Sequence, residues 1–154
     1  MQQLAPQNPN IAVWPQFCVN GPTTLILQEK AFSFTGDDFR ICDQNGVAVV
    51  VCQGQGMSLR GRKVSTKMEA TFTNAVTGQP TNIYLHGDMF GGFAVLSLGE
   101  GGPPIAQITR DFASARDIFI NAQTYAVNVA PGVDLALIAV LCIAMDETRE
   151  AGRR

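Results

Sequence analysis

Charge is the scarcest property of this chain. Asp, Glu, Lys and Arg make up 16% of its 154 residues against 46% hydrophobic residues, which is less charge than an ordinary soluble domain carries and enough apolar material to exclude general disorder. A formal net charge of −2 excludes a body that serves as a whole as an electrostatic platform, so no nucleic-acid partner is expected and any grip on an anion has to be local. A surface this lightly charged keeps self-association open.

Metal, redox and cofactor frameworks are also missing. Cys18, Cys42, Cys52 and Cys142 lie far apart, with no CxxC pair and no nearby histidine, which points away from a thioredoxin-like site or a structural zinc and toward buried reduced thiols. There is no Walker loop, and Gly54-Gln55-Gly56 is too little for a dinucleotide fingerprint. The sole histidine, His86, stands before Gly87-Asp88 without a marked nucleophile or metal and reads as a turn residue. The carboxylates Asp37, Asp38, Asp43 and Asp88 fall in expected turns and offer no acid and base pair. No catalytic residue, metal or cofactor is expected. Met1 to Asn10 has neither the basic start nor the apolar stretch of a signal peptide, so residues 1–10 read as a loose leader of a cytoplasmic protein.

One long apolar run is present. Leu135 to Met145 is uninterrupted by polar residues, with Asp134 before it and Asp146 and Glu147 after it. It is short of the roughly 17 to 25 residues that a membrane-spanning helix needs, so the chain is not expected to be transmembrane and the run is a core element. Leu135, Leu137, Ile138, Leu141, Cys142 and Met145 are its expected core contacts. Between Val133 and Glu147 there is no alternation and good helix formers dominate; helix is preferred over a buried strand. Asp134 suits the start of its dipole, and the closing acids mark a return to water. A helix apolar on every face must be surrounded.

The preceding sequence supplies the enclosure. Thr24–Gln28, Phe32–Phe34, Phe39–Cys42, Val47–Cys52, Met57–Arg60, Val64–Phe72, Thr81–Leu85, Phe93–Leu98, Ile105–Thr109, Ile118–Ile120 and Thr124–Val129 are short apolar or alternating runs separated by turn residues. Asp43 to Gly46 and Asn74 to Gly78 read as hairpin turns. The expected class is mainly β: an antiparallel barrel, closed or nearly so, around a central hydrophobic C-terminal helix, which removes the exposed edges that so many strands create. Residues 11–148 form one domain in this reading, and 149–154 a short polar tail.

Trp14-Pro15-Gln16-Phe17-Cys18 and, above all, Tyr125-Ala126-Val127-Asn128-Val129-Ala130-Pro131-Gly132-Val133-Asp134-Leu135-Ala136-Leu137 followed by Asp146-Glu147 resemble the LURP-one-related family of tubby C-terminal-like proteins. The resemblance implies a barrel of about twelve strands around the helix. Its broader clan includes the phosphoinositide-binding tubby proteins and the phospholipid scramblases, and its plant members are linked to defence, with no established enzyme activity. The chain departs from the family pattern between Met57 and Phe72, where a further hairpin is usual, so fewer strands or an opening is expected on that side.

That side also holds the one basic concentration, Arg60, Arg62, Lys63 and Lys67, with Glu69 as the nearby acid. Positive side chains beside turn glycines can grip a phosphorylated headgroup; the bland alternative is a set of solubilising charges. Alternation along Val64 to Phe72 puts Lys63, Lys67 and Glu69 on one face and Val64, Met68, Ala70 and Phe72 on the other. Arg110, Asp111, Arg116 and Asp117 read as local pairs around a turn. Phe90 to Phe93 read as a hairpin packed back on the barrel, and Trp14 and Phe17 as a plug or edge cover. The functional expectation is a non-enzymatic binding protein, peripheral at an anionic phospholipid (phosphoinositide) surface. The alternative is a protein-interaction or scaffold module in a stress or defence response, using a protein partner or a homodimer; an enzyme whose site no spacing reveals is a third.

Overall fold

The computed structural model describes residues 3–29, 39–43, 45–52, 67–88, 92–109 and 124–153. Runs rich in Val, Ile, Leu and Thr with period-two alternation become eight strands: β1 (Thr23–Glu29), β2 (Phe39–Asp43), β3 (Ala48–Cys52), β4 (Lys67–Thr73), β5 (Pro80–Asp88), β6 (Phe93–Leu98), β7 (Pro104–Thr109) and β8 (Thr124–Val129). The expected strands at Phe32–Phe34, Met57–Arg60 and Ile118–Ile120 lie outside the described residues, as do Arg110, Asp111, Arg116 and Asp117. Among the described residues the strand ladders are all antiparallel, in the order β3-β2-β1-β8-β7-β6-β5-β4. The last strand therefore pairs with the first, Leu25 opposite Val127 and Leu27 opposite Tyr125.

Alternation decides which face holds the core. Leu25 and Leu27 on β1, Ile83 and Leu85 on β5, Ala94 and Leu96 on β6, and Val127 and Val129 on β8 are all buried in one cluster. Met68, Ala70 and Phe72 on β4 pack against it while Glu69 is exposed, which is the alternation expected of that strand. The turns also follow the sequence: Gly46 and Gly78 take φ of +79° and +70°, values a side chain disfavours.

Closure is where the finding is coarser than the expectation. β3 and β4 stand at the two ends of the order, and among the described residues no ladder joins them. What the structure shows is a mainly β fold with one antiparallel sheet and a C-terminal helix.

The helix α1 (Leu135–Arg153) differs from the expected one in two ways. It continues beyond Glu147 because Thr148 to Arg153 contains no Pro and only one Gly, at Gly152 near its end; residues 149–153, expected as a polar tail, are helical. Asp146 and Glu147 are thus interior to the helix. It is also not buried on every face. Leu135, Leu137, Ile138, Leu141, Cys142 and Met145 are buried, but Val140 is 44% exposed and Ala136, Ile143 and Ala144 are half-buried. Spacings of four, three and four put 136, 140 and 143 or 144 on one stripe, so hydrophobicity all round did not translate into burial all round.

The segment expected as a loose leader is docked. Leu4 is buried in the core, the Gln7 N–H donates to the Pro131 carbonyl at 2.8 Å, and the Ile11 N–H to the Gly132 carbonyl at 2.9 Å. Gly132 has a reason to be glycine: its φ is +82°, and a Cβ there would stand 2.4 Å from the Gln7 carbonyl oxygen.

Cys142 faces the core on α1, and burial pushes its thiol up to about 12. Alkylation needs the thiolate, so Cys142 is expected to resist iodoacetamide at mildly alkaline pH in the folded protein and to react once denaturant is added. Peptide mapping by mass spectrometry reads the result; equal labelling in both states would contradict the packing of α1.

Candidate functional site

The registers sort the strand ends into two groups. Thr23, Asp43, Ala48, Thr73, Pro80, Leu98, Pro104 and Val129 lie at the end where α1 starts; Glu29, Phe39, Cys52, Lys67, Asp88, Phe93, Thr109 and Thr124 lie at the other. Of the four basic site candidates, Arg60, Arg62 and Lys63 lie outside the described residues. Lys67 begins β4 at the second end, paired in register with His86. Its strand is terminal in the sheet, as is β3, and the chain between Cys52 and Lys67 carries the other three basic residues.

Glu69, the acid nearest that cluster in sequence, is already engaged. Its Oε1 accepts from the Tyr84 hydroxyl at 2.8 Å and from the Asn82 Nδ2 at 3.0 Å, and the hydrogen bond to Glu69 raises the Tyr84 phenol above its ordinary value. His86 differs from its expected setting: it lies within β5 and not in a turn. Its ring stacks on Tyr84 at 6.4 Å, and its Nε2 is buried with no hydrogen-bond partner among the described residues. Phe93, expected to pack back on the sheet, is 56% exposed. Among the described residues no group of His, Cys, Asp and Glu is placed to hold a metal ion.

The helix-start end is built around Asp134, which is wholly buried. Its Oδ1 accepts from the Ala136 and Leu137 N–H groups at 2.9 and 3.1 Å, capping α1. Its Oδ2 accepts from the Val13 and Trp14 N–H groups at 3.1 and 2.7 Å. One carboxylate thereby fixes both the helix start and the N-terminal segment. The sequence suggested only its favourable dipole position; nothing in the spacing marks the second pair of donors, which arrive from more than a hundred residues away. Asn74 acts similarly, accepting from Val76 and Ala12 N–H groups and donating to the Asn10 carbonyl.

Beside this anchor, Trp14 precedes the short 3-10 turn Pro15–Phe17 and Phe17 closes it, and each is 41% exposed; they do not act as a buried plug. An open cleft of about 170 Å³ lies beside the same end, lined by Gln3, Leu4, Pro22, Thr23, Thr24, Asn128 and Val129. Among the described residues its lining has no charged side chain. Cys18 bridges backbone to Asp134, and burial, with the Asp134 charge, raises its thiol above the usual range.

The family model for LURP-one-related proteins matches residues 23–67 and 60–146. The chain belongs to the LURP-one-related family. The matched stretches take in every described strand and the buried part of α1, and they overlap at 60–67, the basic segment of this LURP-one-related protein. Trp14 to Cys18 lie outside the match. No curated protein matches the chain, and no solved structure matches it. Among the described residues no helix of this LURP-one-related protein is long and apolar enough to cross a membrane.

Proposed function

We propose that this LURP-one-related protein is a non-enzymatic binding module whose ligand is an anionic phospholipid surface, phosphoinositide-containing membranes above all. The observation that carries the reading is the position of Lys67: it opens a terminal strand of the sheet at the end remote in the register from the Asp134 anchor, and Arg60, Arg62 and Lys63 closely precede it in sequence, four of the chain's eleven Lys and Arg residues. In this reading the sheet curls around α1 as a barrel that is open between β3 and β4, the two strands that the basic segment joins in sequence. A headgroup is held there by charge-assisted contacts, at a peripheral, cytoplasmic membrane face.

Sedimentation with neutral, phosphatidylserine-containing and phosphoinositide-containing liposomes at two salt concentrations tests it. Binding is expected on the anionic liposomes only and falls with salt. At about 1 kcal/mol per basic residue near the surface, the R62E/K63E variant, which also reverses the sign, should lose on the order of a hundredfold or more. Binding that survives in the variant, or none to any liposome, sinks the reading.

A further inference from the structure

The sequence contains two Asn-Gly pairs, Asn20-Gly21 and Asn45-Gly46, and both fall among the described residues. The pair has a chemistry of its own. Because glycine carries no Cβ, its backbone nitrogen can swing close to the side-chain carbonyl of the asparagine before it. Both asparagines are exposed, and a Cβ on either glycine would meet nothing within 4 Å, so neither solvent access nor crowding separates the two pairs. Hydrogen bonding does.

Asn45-Gly46 is clamped by its turn. The Gly46 N–H donates to the Asp43 carbonyl at 3.0 Å, and the Asn45 and Val47 N–H groups donate to the Asp43 Oδ1 at 2.8 and 2.9 Å. The Val47 N–H is the chief cause that holds the Asp43 carboxyl below its usual range, so the group is anionic at neutral pH. To react, the Gly46 nitrogen has to give up a proton that the turn keeps in a hydrogen bond, beside a carboxylate that disfavours a second negative charge. At Asn20-Gly21 these restraints are missing. Among the described residues neither the Asn20 side chain nor the Gly21 N–H makes a hydrogen bond; Gly21 is held only by its carbonyl, which accepts from the Thr23 hydroxyl at 3.2 Å. Met1 to Gln28 contains no Asp or Glu, and Asp134, which bridges to Cys18, is engaged by four N–H groups.

We propose that Asn20 is a self-modifying site: in the folded protein it deamidates in preference to Asn45, and its product loosens the N-terminal strip. The Gly21 nitrogen, its proton taken by hydroxide, attacks the Asn20 side-chain carbonyl carbon. The new C–N bond forms, the bond to the side-chain nitrogen breaks, and that nitrogen leaves as ammonia. Water then opens the cyclic imide at one carbonyl or the other, giving aspartate or isoaspartate; one water is consumed for each ammonia released, and nothing is oxidised or reduced. Isoaspartate puts an extra methylene into the main chain at a place with little slack. Just before it the Val19 carbonyl accepts from the Gly132 N–H at 2.8 Å, and just after it Thr23 opens β1 opposite Val129. The lengthened link has to bulge, and the bond that yields is the one holding the strip to Gly132.

Peptide mapping by mass spectrometry of protein aged at mildly alkaline pH, folded and in denaturant, tests the site, with isoaspartyl methyltransferase labelling to count isoaspartate. In the folded protein Asn20 should convert at least about tenfold faster than Asn45, since several hydrogen bonds must open together at Asn45. In denaturant the two rates should converge. The G21A variant should slow Asn20 several-fold and fold normally by circular dichroism, because Gly21, unlike Gly46, does not take positive φ. Equal rates in the folded protein, faster conversion at Asn45, a gap that persists in denaturant, or a G21A variant that ages as fast as wild type would each overturn the proposal. The aged acidic fraction, separated by ion exchange, should be cut by chymotrypsin after exposed Phe17 faster than fresh protein; equal cutting would overturn the loosening of the strip.

Discussion

Asp134→Ala should destabilise the folded protein by about 3–5 kcal/mol, the usual cost of removing one partner from a buried charged network, and a large share of the roughly 5–15 kcal/mol that holds a domain together. Loss of the helix cap alone accounts for about 1 kcal/mol. The remainder comes from amides left in place with no acceptor: Val13, Trp14, Ala136 and Leu137 all donate to this one carboxylate, and an unsatisfied buried donor costs about 1–3 kcal/mol, partly relieved where water can enter. Asp134→Asn is not a conservative test, because one side of the amide would present N–H groups to two N–H donors. Asp134→Ser should keep the cap on Ala136 and Leu137 and lose the reach to Val13 and Trp14, giving an intermediate effect. Urea titration followed by circular dichroism gives the stability, and Trp14 emission shows whether the N-terminal segment has come away first. An alanine variant within about 1 kcal/mol of wild type would mean that the carboxylate is not the anchor the geometry makes it.

The fold was legible where its cause is local. Period-two alternation and turn chemistry set β6 and β8 to the residue, and the others to within a few, because side-chain direction in a strand depends on nothing farther away than the next residue. The helix start was legible from Asp134 and its end was not: Asp146 and Glu147 read as a boundary, yet charge does not break a helix, and the good helix formers beyond them carried it to Arg153. The docking of residues 4–19 was hidden for a different reason. It depends on backbone groups of Gln7, Ile11 and Val19 meeting Pro131 and Gly132, and backbone hydrogen bonds leave little trace in side-chain pattern. Gly132 was the available clue, since a glycine at positive φ under a close carbonyl is conspicuous only once the neighbour is known.

The site was less legible than the fold. A cluster such as Arg60 to Lys67 shows in composition, but the meeting of the 74–78 turn with the strip before Trp14 joins positions sixty residues apart, brought together by Asn74 and its bonds to Asn10 and Ala12. The sequence assigned the two aromatics to covering an edge because apolar residues near a terminus usually do so. Here the edge they sit over was already sealed by Asp134 and its donors, and their rings were left partly in solvent.

Leu137→Asp and Val140→Asp, three residues apart on α1, should behave as opposites. Leu137 is 6% exposed and lies in the core cluster with the strand residues, whereas Val140 is 44% exposed. At Leu137 the substitution removes a packed side chain, at about 2–5 kcal/mol for truncation alone, and places a carboxylate where no described donor awaits it, which adds several kcal/mol unless the group takes up a proton. The sum reaches the whole stability of an ordinary domain, so L137D should be unfolded or insoluble. At Val140 the new carboxylate can reach water, and the cost should stay near the 0.5 kcal/mol typical of surface changes, with a small further loss of helix propensity. Circular dichroism and thermal melting of the two variants read the difference. A folded L137D would remove the case for α1 as the core of the sheet. An unfolded V140D would mean that the 136, 140 and 143 stripe is enclosed in solution, and that the helix is surrounded on every side as its composition suggests.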